Sequence, residues 1–445
     1  MLEFTINAKK SDNIMYHFIP LEVPEGIGRL EFYYDFYPEK VKGEMWVNEV
    51  GICLKDLNGV DVGARGRKGE KIVVSGAYST IGYDRREIEP GTWTLVITAN
   101  RFISDEYTIK VYVDMIAKKE GWYAGDTHCH TSLSDGHCTY QQVLKKAERN
   151  GLDYLIMTDH NMTVMGNLPL SDKVTMIEGV EMTYPCAHAN IWGVKEPYSK
   201  GYATNHFEEW LEMKKECEAN GALVSINHPQ CSKCGWLWPL DGQDFYDSIE
   251  VWNGPMRPDN QKCIDWWHQK LCEGKKLKIV GGSDFHYDIL VTNFIGNPTT
   301  WVYAKSNSPK DILEGIKAGH TTISERTKSG TMITMSAGEA ICGDTVKYTE
   351  GQTVKVSVKR FKRGDRLLVK NDEGVIFEKK CKRSGDYEFE VTVPKAGFVR
   401  AETKKNYDPI MKFVLNMALV LMVPKQAFKP HPEYCTALCS PIYFE

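Results

Sequence analysis

Two short signatures pair chemistry-bearing side chains at the spacing that turns them to one face of a strand. His128 and His130 are separated by one residue in GDTHCH, and Asp284 and His286 repeat that spacing in GGSDFH. Side chains two apart on a strand point the same way, so each pair can meet one ion. Asp159 and His160 end a further apolar run in LIMTDHN. Asp135 follows in SLSDG, Glu181 in EGVEMT, His188 in CAHANIWG and His228 in INHPQ. A lone histidine at such a place is ordinarily a hydrogen-bonded structural residue. Six imidazoles with Asp135, Glu181 and Asp284, each beside a strand end, are a different matter, because burying so many polar groups without a cation is costly. They are read as the ligands of a multinuclear metal site. The set is all imidazole and carboxylate, which suits zinc, manganese or iron, with availability deciding among them.

The elements that must position these residues are legible from periodicity. Residues 122–129, 154–158, 174–179, 189–194, 223–227, 248–252 and 278–282 are strand-length apolar runs. They alternate with amphipathic stretches at 140–150, 207–220 and 261–273, the signature of βα units. If that sheet closes into a barrel, the strand ends converge on its C-terminal rim, where sites are built. Before residue 120 the chain reads as short strands at 30–36, 43–47, 71–74, 92–98 and 108–114, punctuated by PEG, NGV, KGE and PGT. That pattern points to an antiparallel sandwich. Strand character returns at 353–359, 366–370, 387–393 and 414–423. Three domains are therefore expected: an N-terminal β-domain over 1–120, the metal-bearing domain over 121–327 and a second β-domain over 328–445.

Composition removes several function classes. The 445 residues are 42% hydrophobic and 26% charged, an ordinary globular balance. Lys plus Arg is 55 against 59 for Asp plus Glu, a formal net charge of −4, so no footprint for nucleic acid or an anionic membrane is expected. No apolar run is long enough to span a bilayer and the first residues lack the apolar core of a signal peptide, so a cytoplasmic protein is expected. The 13 cysteines form no compact framework and are read as free thiols. Cys231 and Cys234 make a CxxC that lacks a second pair, a weak zinc or redox signal weighed against a loop beside the chemistry.

The run GDTHCHTSLSDGHCTYQQVLKKAERNGLDYLIMTDHN, followed by EGVEMT, AHANIWG, INHP, IEVWNG and GGSDFH, resembles the PHP (polymerase and histidinol phosphatase) superfamily, and within it the CehA/McbA-type metallohydrolases. The resemblance covers residues 122–327. It implies an α/β fold, a distorted (β/α)7 barrel with two or three divalent metal ions on its rim, here flanked by β-sandwich-like domains at both ends. It implies a first site of His128, His130, Glu181 and Asp284, a second of Asp135, His160 and His286, and Glu181 bridging with one oxygen per ion. His188 and His228 match the third-site ligands. Many relatives carry a histidine where this chain has Asp135. Asp159 matches the TDH motif as a partner orienting His160 rather than a ligand.

No GxSxG elbow and no P-loop is present, which agrees with metal-activated water. The activity expected is hydrolysis of a small phosphate ester by a metal-bridging hydroxide. His188 or His228, where not holding an ion, is placed to protonate the leaving oxygen. Arg257, in WNGPMRPDN, is read either as a phosphate clamp or as a surface salt bridge. The partner expected is a phosphorylated small molecule, and a homo-oligomer is compatible with the sequence. A carbamate, ester or amide hydrolase would use the same metals, and a non-catalytic scaffold would be expected to have lost ligands.

Overall fold

The structure is a computed structural model. It describes all residues except 164–165, 167, 195–203, 205, 241–244, 289–293, 406–412, 414–415, 418–419 and 421–432. The chain divides into two compact units. One is Met1–Glu120 with the segments Leu170–Thr175 and Ser308–Lys310, and the other is Gly121–Pro169, Met176–Asn307 and Asp311–Glu445.

The first unit holds two four-stranded antiparallel sheets. Their orders are Leu2–Lys9, Glu106–Ala117, Ile27–Tyr37, Ile72–Ser75 and Tyr16–Val23, Gly91–Arg101, Glu49–Lys55, Asp61–Arg65. Alternation does the work that period two predicts: Leu30, Phe32, Tyr34 and Phe36 turn inward on one sheet, and Ile52, Leu54, Leu95 and Ile97 belong to the same core from the other. Two buried phenols satisfy strand carbonyls, Tyr34 donating to Val50 O at 2.6 Å and Tyr83 to Ile52 O at 2.7 Å. The strand expected at 43–47 does not form; only a single bridge joins Lys40 and Val47. Met45 and Trp46 are exposed, with Trp46 lying under the Arg101 guanidinium, so no apolar face there is buried against a neighbour.

In the second unit the seven apolar runs are all strands or contain one. They do not form one closed barrel among the described residues. Gly121–Asp126 lies in an 11-stranded sheet, between Tyr154–Ile156 and Thr299–Ala304. A separate five-stranded sheet runs Gly179–Tyr184, Ala187–Trp192, Leu223–Ile226, Ser248–Asn253, Ile279–Gly282. The expected parallel alternation is broken at three pairings. Ala187–Trp192 runs antiparallel to both its neighbours, Gly179–Tyr184 in a hairpin and Leu223–Ile226, and Thr299–Ala304 runs antiparallel to Gly121–Asp126. A barrel of βα units needs parallel neighbours throughout. What joins the sheets at the ligand-bearing ends is a pair of isolated parallel bridges, His160 with Glu181 and Cys129 with Phe285.

The larger sheet crosses position 327, because Thr321–Ser324 pairs with Tyr434–Cys439 and that strand with Gly397–Lys405. Thr353–Phe361 and Gly385–Thr392 pair in a further four-stranded sheet. The strand expected at 414–423 falls mostly outside the described residues.

Four helices are described. Helix α1 is Tyr140–Asn150, opened by a capping box in which Gln142 N donates to Thr139 Oγ1 and Thr139 N to Gln142 Oε1. Helix α2 is Phe207–Ala219, and α3 is Pro258–Cys272, starting three residues before the periodic pattern because Pro258 takes the first helical position. The fourth, α4, is Pro309–Ala318.

The inward and outward assignments in the first unit are open to a direct check by chemical denaturation. Leu30→Ala removes a fully buried side chain and should cost about 2–5 kcal/mol. Phe18→Ala, at an exposed position in the opposing sheet, should stay within about 0.5 kcal/mol. Equal effects would show the faces misassigned.

Candidate metal centre

Glu181, the third residue of Gly179–Tyr184 at the edge of the five-stranded sheet, is buried, and its two oxygens serve different groups. Oε2 lies 3.4 Å from His128 Nε2, 3.3 Å from His130 Nε2 and 3.0 Å from His160 Nδ1. Oε1 lies 3.2 Å from His188 Nδ1 and 3.5 Å from His228 Nε2, and accepts a hydrogen bond from Asn227 Nδ2 at 2.8 Å. Asp284 Oδ1 closes the first group, 3.4 Å from His128 Nε2 and 3.2 Å from His130 Nε2.

A second group lies at the rim. Asp135 presents Oδ1 to His286 Nε2 at 3.2 Å and Oδ2 to His160 Nε2 at 3.5 Å. Its carboxylate is exposed, and the His130 ring stacks 4.2 Å from that of His286. All nine expected ligands are thus brought together in three overlapping groups. The division of Glu181 differs from expectation: one oxygen faces both the first and second groups, and the other faces His188 and His228.

Several residues that the sequence reading left out hold these side chains in place. Glu250, buried in Ser248–Asn253, accepts from His128 Nδ1 at 3.0 Å, which leaves Nε2 as the nitrogen turned to Glu181. Its other oxygen accepts from His228 N at 3.0 Å and Asn253 Nδ2 at 3.1 Å. Asp126 takes backbone N–H groups from His128, Ser283 and Gly296. A charged residue within an apolar strand, in SIEVWN or YAGD, was the available signal. Gly282 matters for a different reason. A Cβ there would stand 2.3 Å from His128 Cβ and 2.7 Å from Glu250 Oε1, so only glycine lets this strand approach the first histidine.

Asp159 and Arg257 have other partners than expected. The Asp159 carboxylate accepts from Thr131 N at 2.7 Å, Ser134 Oγ at 2.8 Å and Tyr140 OH at 2.9 Å, fixing the loop between the first strand and α1. His160 is oriented instead by Thr183 Oγ1, 2.5 Å from its Nδ1. Arg257 is buried rather than in a surface salt bridge. Its guanidinium donates to Asn253 O at 2.5 Å and Asn253 Oδ1 at 2.6 Å, and Asn253 in turn donates to Asp284 Oδ2 at 3.2 Å. A cavity of about 570 Å³ opens over this arrangement, with Asp135, Asp284 and His286 on its lining together with Lys233 and Arg257.

The donor set fits divalent metal. Nε2 of His128 and Nε2 of His130 approach to 3.1 Å with both rings fully buried, and His130 Nδ1 has no hydrogen-bond partner. Two imidazole nitrogens turned on each other and on two carboxylates need a cation or a proton between them. In the protein without metal that proton is present. Burial works against a charged His128, but Asp284, Glu250 and Glu181 overcome it and hold the imidazole well above its ordinary value. Burial also opposes charge on Glu181 and Asp284, and the neighbouring imidazoles, His128 foremost, hold both carboxyls well below theirs. Burial pushes His130 down.

No family model and no curated protein matches the chain. Among solved structures it is similar to a two-domain protein from Bacteroides vulgatus containing a predicted PHP-like metal-dependent phosphoesterase, at 20% identity over 64% of this chain and 90% of that one, with a TM-score of 0.40. It is also similar to a candidate metal-dependent phosphoesterase from Bifidobacterium adolescentis, at 16% identity over 42% of this chain and 94% of that one, TM-score 0.28. A glycosyl hydrolase family 2 member from Bacteroides cellulosilyticus superposes at 11% identity over 89% and 62%, TM-score 0.21. Likeness at this level carries no argument about chemistry, which rests on the residues above.

Two measurements test the site as built. Glu250→Gln keeps the volume but removes the charge behind His128, so metal affinity measured by chelator competition should fall about 10–100-fold with the fold retained. The raised His128 also sets a pH dependence for metal-free protein. Its unfolded value is about 6.5, so its contribution to stability is complete below that and is lost as pH rises through the higher folded value. The melting temperature of chelator-treated protein should therefore decline on the alkaline side of neutrality, and bound metal should abolish that decline.

Proposed function

We propose that this chain is a metal-dependent phosphoesterase of the PHP superfamily, of its CehA/McbA branch, cleaving a small phosphate ester. The observation that carries the reading is the gathering of eight imidazole and carboxylate side chains around buried Glu181, beneath a cavity that also presents Lys233 and Arg257. His128, His130, Glu181 and Asp284 would hold one divalent ion, and Asp135, His160 and His286 another. His188 and His228, with the remaining oxygen of Glu181, would hold a third. Bound there, such ions lower the pKa of water to near neutrality and neutralise charge on a phosphate.

The protein's own groups do the rest. Arg257, pinned by Asn253 so that its planar fork keeps one orientation, binds the phosphate from the side opposite the ligands. His188, with Nδ1 on Glu181, keeps Nε2 to hold a proton for the leaving oxygen when the third position is empty. Asp159 acts on neither; by fixing Thr131 and Ser134 it positions the turn that carries Asp135. The substrate is a small phosphorylated molecule, and the formal charge of −4 supports no nucleic-acid partner. No described helix is long and apolar enough to cross a membrane. All thirteen cysteines are free, which supports a reducing, cytoplasmic setting.

Protein loaded with zinc, manganese or iron should hydrolyse members of a phosphomonoester and phosphodiester panel, with inorganic phosphate competing. Asp284→Asn should lower kcat/KM more than about 100-fold, beyond what loss of a supporting hydrogen bond costs, with the far-UV circular dichroism unchanged. Turnover of carbamates or carboxylic esters alone, with the same metal dependence, would overturn the phosphoesterase reading in favour of an acyl hydrolase. Metal binding without turnover of either class would leave a binding module.

A further inference from the structure

The loop that follows Leu223–Ile226 carries a feature that the nine-residue centre does not use. Cys231 Sγ and Cys234 Sγ stand 3.1 Å apart, and Cys234 Sγ lies 3.7 Å from His228 Nδ1, on the ring edge opposite the one that faces Glu181. The three ligand atoms all fall within 4.8 Å of one another. Both thiols line the cavity of about 570 Å³.

The loop is built to hold them there. His228 adopts a left-handed φ of 29°, which turns the chain sharply out of the strand. Cys231 N then donates to His228 O at 2.8 Å, and Trp236 N returns to Pro229 O at 3.2 Å. Ser232 N is anchored on Asp259 Oδ2 at 2.9 Å, in the first turn of α3. Gly235 is required by the same turn, since a Cβ there would lie 2.5 Å from Cys231 O and 2.8 Å from Pro229 O.

From this geometry we infer that Cys231, Cys234 and His228 Nδ1 form a separate thiolate site for a zinc ion at the cavity mouth, with its fourth position open to solvent or substrate. A tetrahedral ion with Zn–S near 2.3 Å and Zn–N near 2.0–2.1 Å sets S···N at about 3.6 Å and S···S at about 3.8 Å. The Cys234–His228 separation already fits, and the thiols must part by roughly 0.7 Å. The participation of the imidazole is what favours metal over a disulfide, which would need no third group. Soft sulfur ligands select zinc over manganese, magnesium or calcium. On coordination both thiol protons, and the Nδ1 proton of His228 where it carries one, pass to solvent, and no oxidant is needed. The inference does not depend on the phosphoesterase reading, for it concerns ligand atoms that the oxygen-rich centre lacks. It makes His228 a hinge between two metal environments, Nε2 toward Glu181 and Nδ1 toward sulfur.

Cobalt distinguishes the two environments, because only sulfur ligation produces a thiolate-to-cobalt charge-transfer band in the near ultraviolet. Full-length protein, stripped by chelation under reducing conditions and reloaded with Co²⁺, should show that band. A Cys231→Ser/Cys234→Ser double variant should lose it together with its share of bound cobalt, while retaining the cobalt held by imidazole and carboxylate. In wild-type protein, zinc should also shield Cys231 and Cys234 from alkylation, read residue by residue by mass spectrometry. Cobalt binding without the band, a band that survives in the double variant, or alkylation indifferent to zinc would each overturn the assignment. Recovery of a Cys231–Cys234 disulfide that persists in the presence of zinc would overturn it in favour of a redox pair. Loss of activity in Asp284→Asn has no bearing on any of these readouts, so the two proposals fail separately.

Discussion

One buried carboxylate organises this structure. Glu181 has no solvent to neutralise it, and its two oxygens face five imidazoles from different chain segments. Such a group is tolerated in a protein interior only when opposite charge is held close and in register. That requirement reaches outward in steps. His128 must present Nε2, so Nδ1 must donate, and the buried carboxylate of Glu250 in Ser248–Asn253 is there to accept. Glu250 in turn must be satisfied by His228 N and Asn253. Each step recruits another strand end.

At the ligand-bearing ends the two sheets meet through single bridges and through polar side chains such as Asn190, which donates to Thr127 O and accepts from Asn227. The hairpin of Gly179–Tyr184 and Ala187–Trp192 brings Glu181 and His188 onto opposed strands, where Glu181 pairs in register with Asn190 and Thr183 with His188. An uninterrupted parallel barrel would have needed a helical crossover between them, and their side chains would then have lain on separate units. The apolar mass is kept away from the rim, in a cluster around Trp210, Trp252 and Trp267.

How far this was legible in the sequence depended on whether an effect was local. The two-residue spacing identified His128 with His130 and Asp284 with His286, although both pairs lie past the ends of their strands and Asp284 takes a left-handed φ of 51°, and periodicity placed α1 residue for residue. Pairing direction was not legible, because a parallel and an antiparallel strand have the same apolar run; only the two-residue turn of Pro185 and Cys186 between Tyr184 and Ala187 distinguishes them, and it contains no glycine. Glu250, Asn227 and Asp126 escaped for a related reason. Each satisfies a partner far along the chain, His128 being 122 positions from Glu250, so a charge or amide within an apolar strand is the one local mark and does not say which partner it serves. Asp159 shows the converse: adjacency in TDH suggested that it serves His160, whereas neighbours on a strand point to opposite faces, and its carboxylate turns to Thr131 and Tyr140 instead.

The cavity has unlike linings. Asp135, Asp284 and His286 of the ligand set line it together with Arg257, the residue that precedes α3, and with Cys231, Lys233 and Cys234 of the loop after Leu223–Ile226. Arg257 is held by Asn253, whose amide also reaches Asp284, so the cationic wall is tied to the ligand wall through one side chain. An anion entering the cavity would meet a fixed guanidinium on a rigid tether rather than a mobile surface charge, and the ordering cost of that contact has already been met in folding. The centre and its anion-facing wall are in this sense one construction, with Asn253 as the joint, and the charge on Glu181 is what obliges both to stay in place.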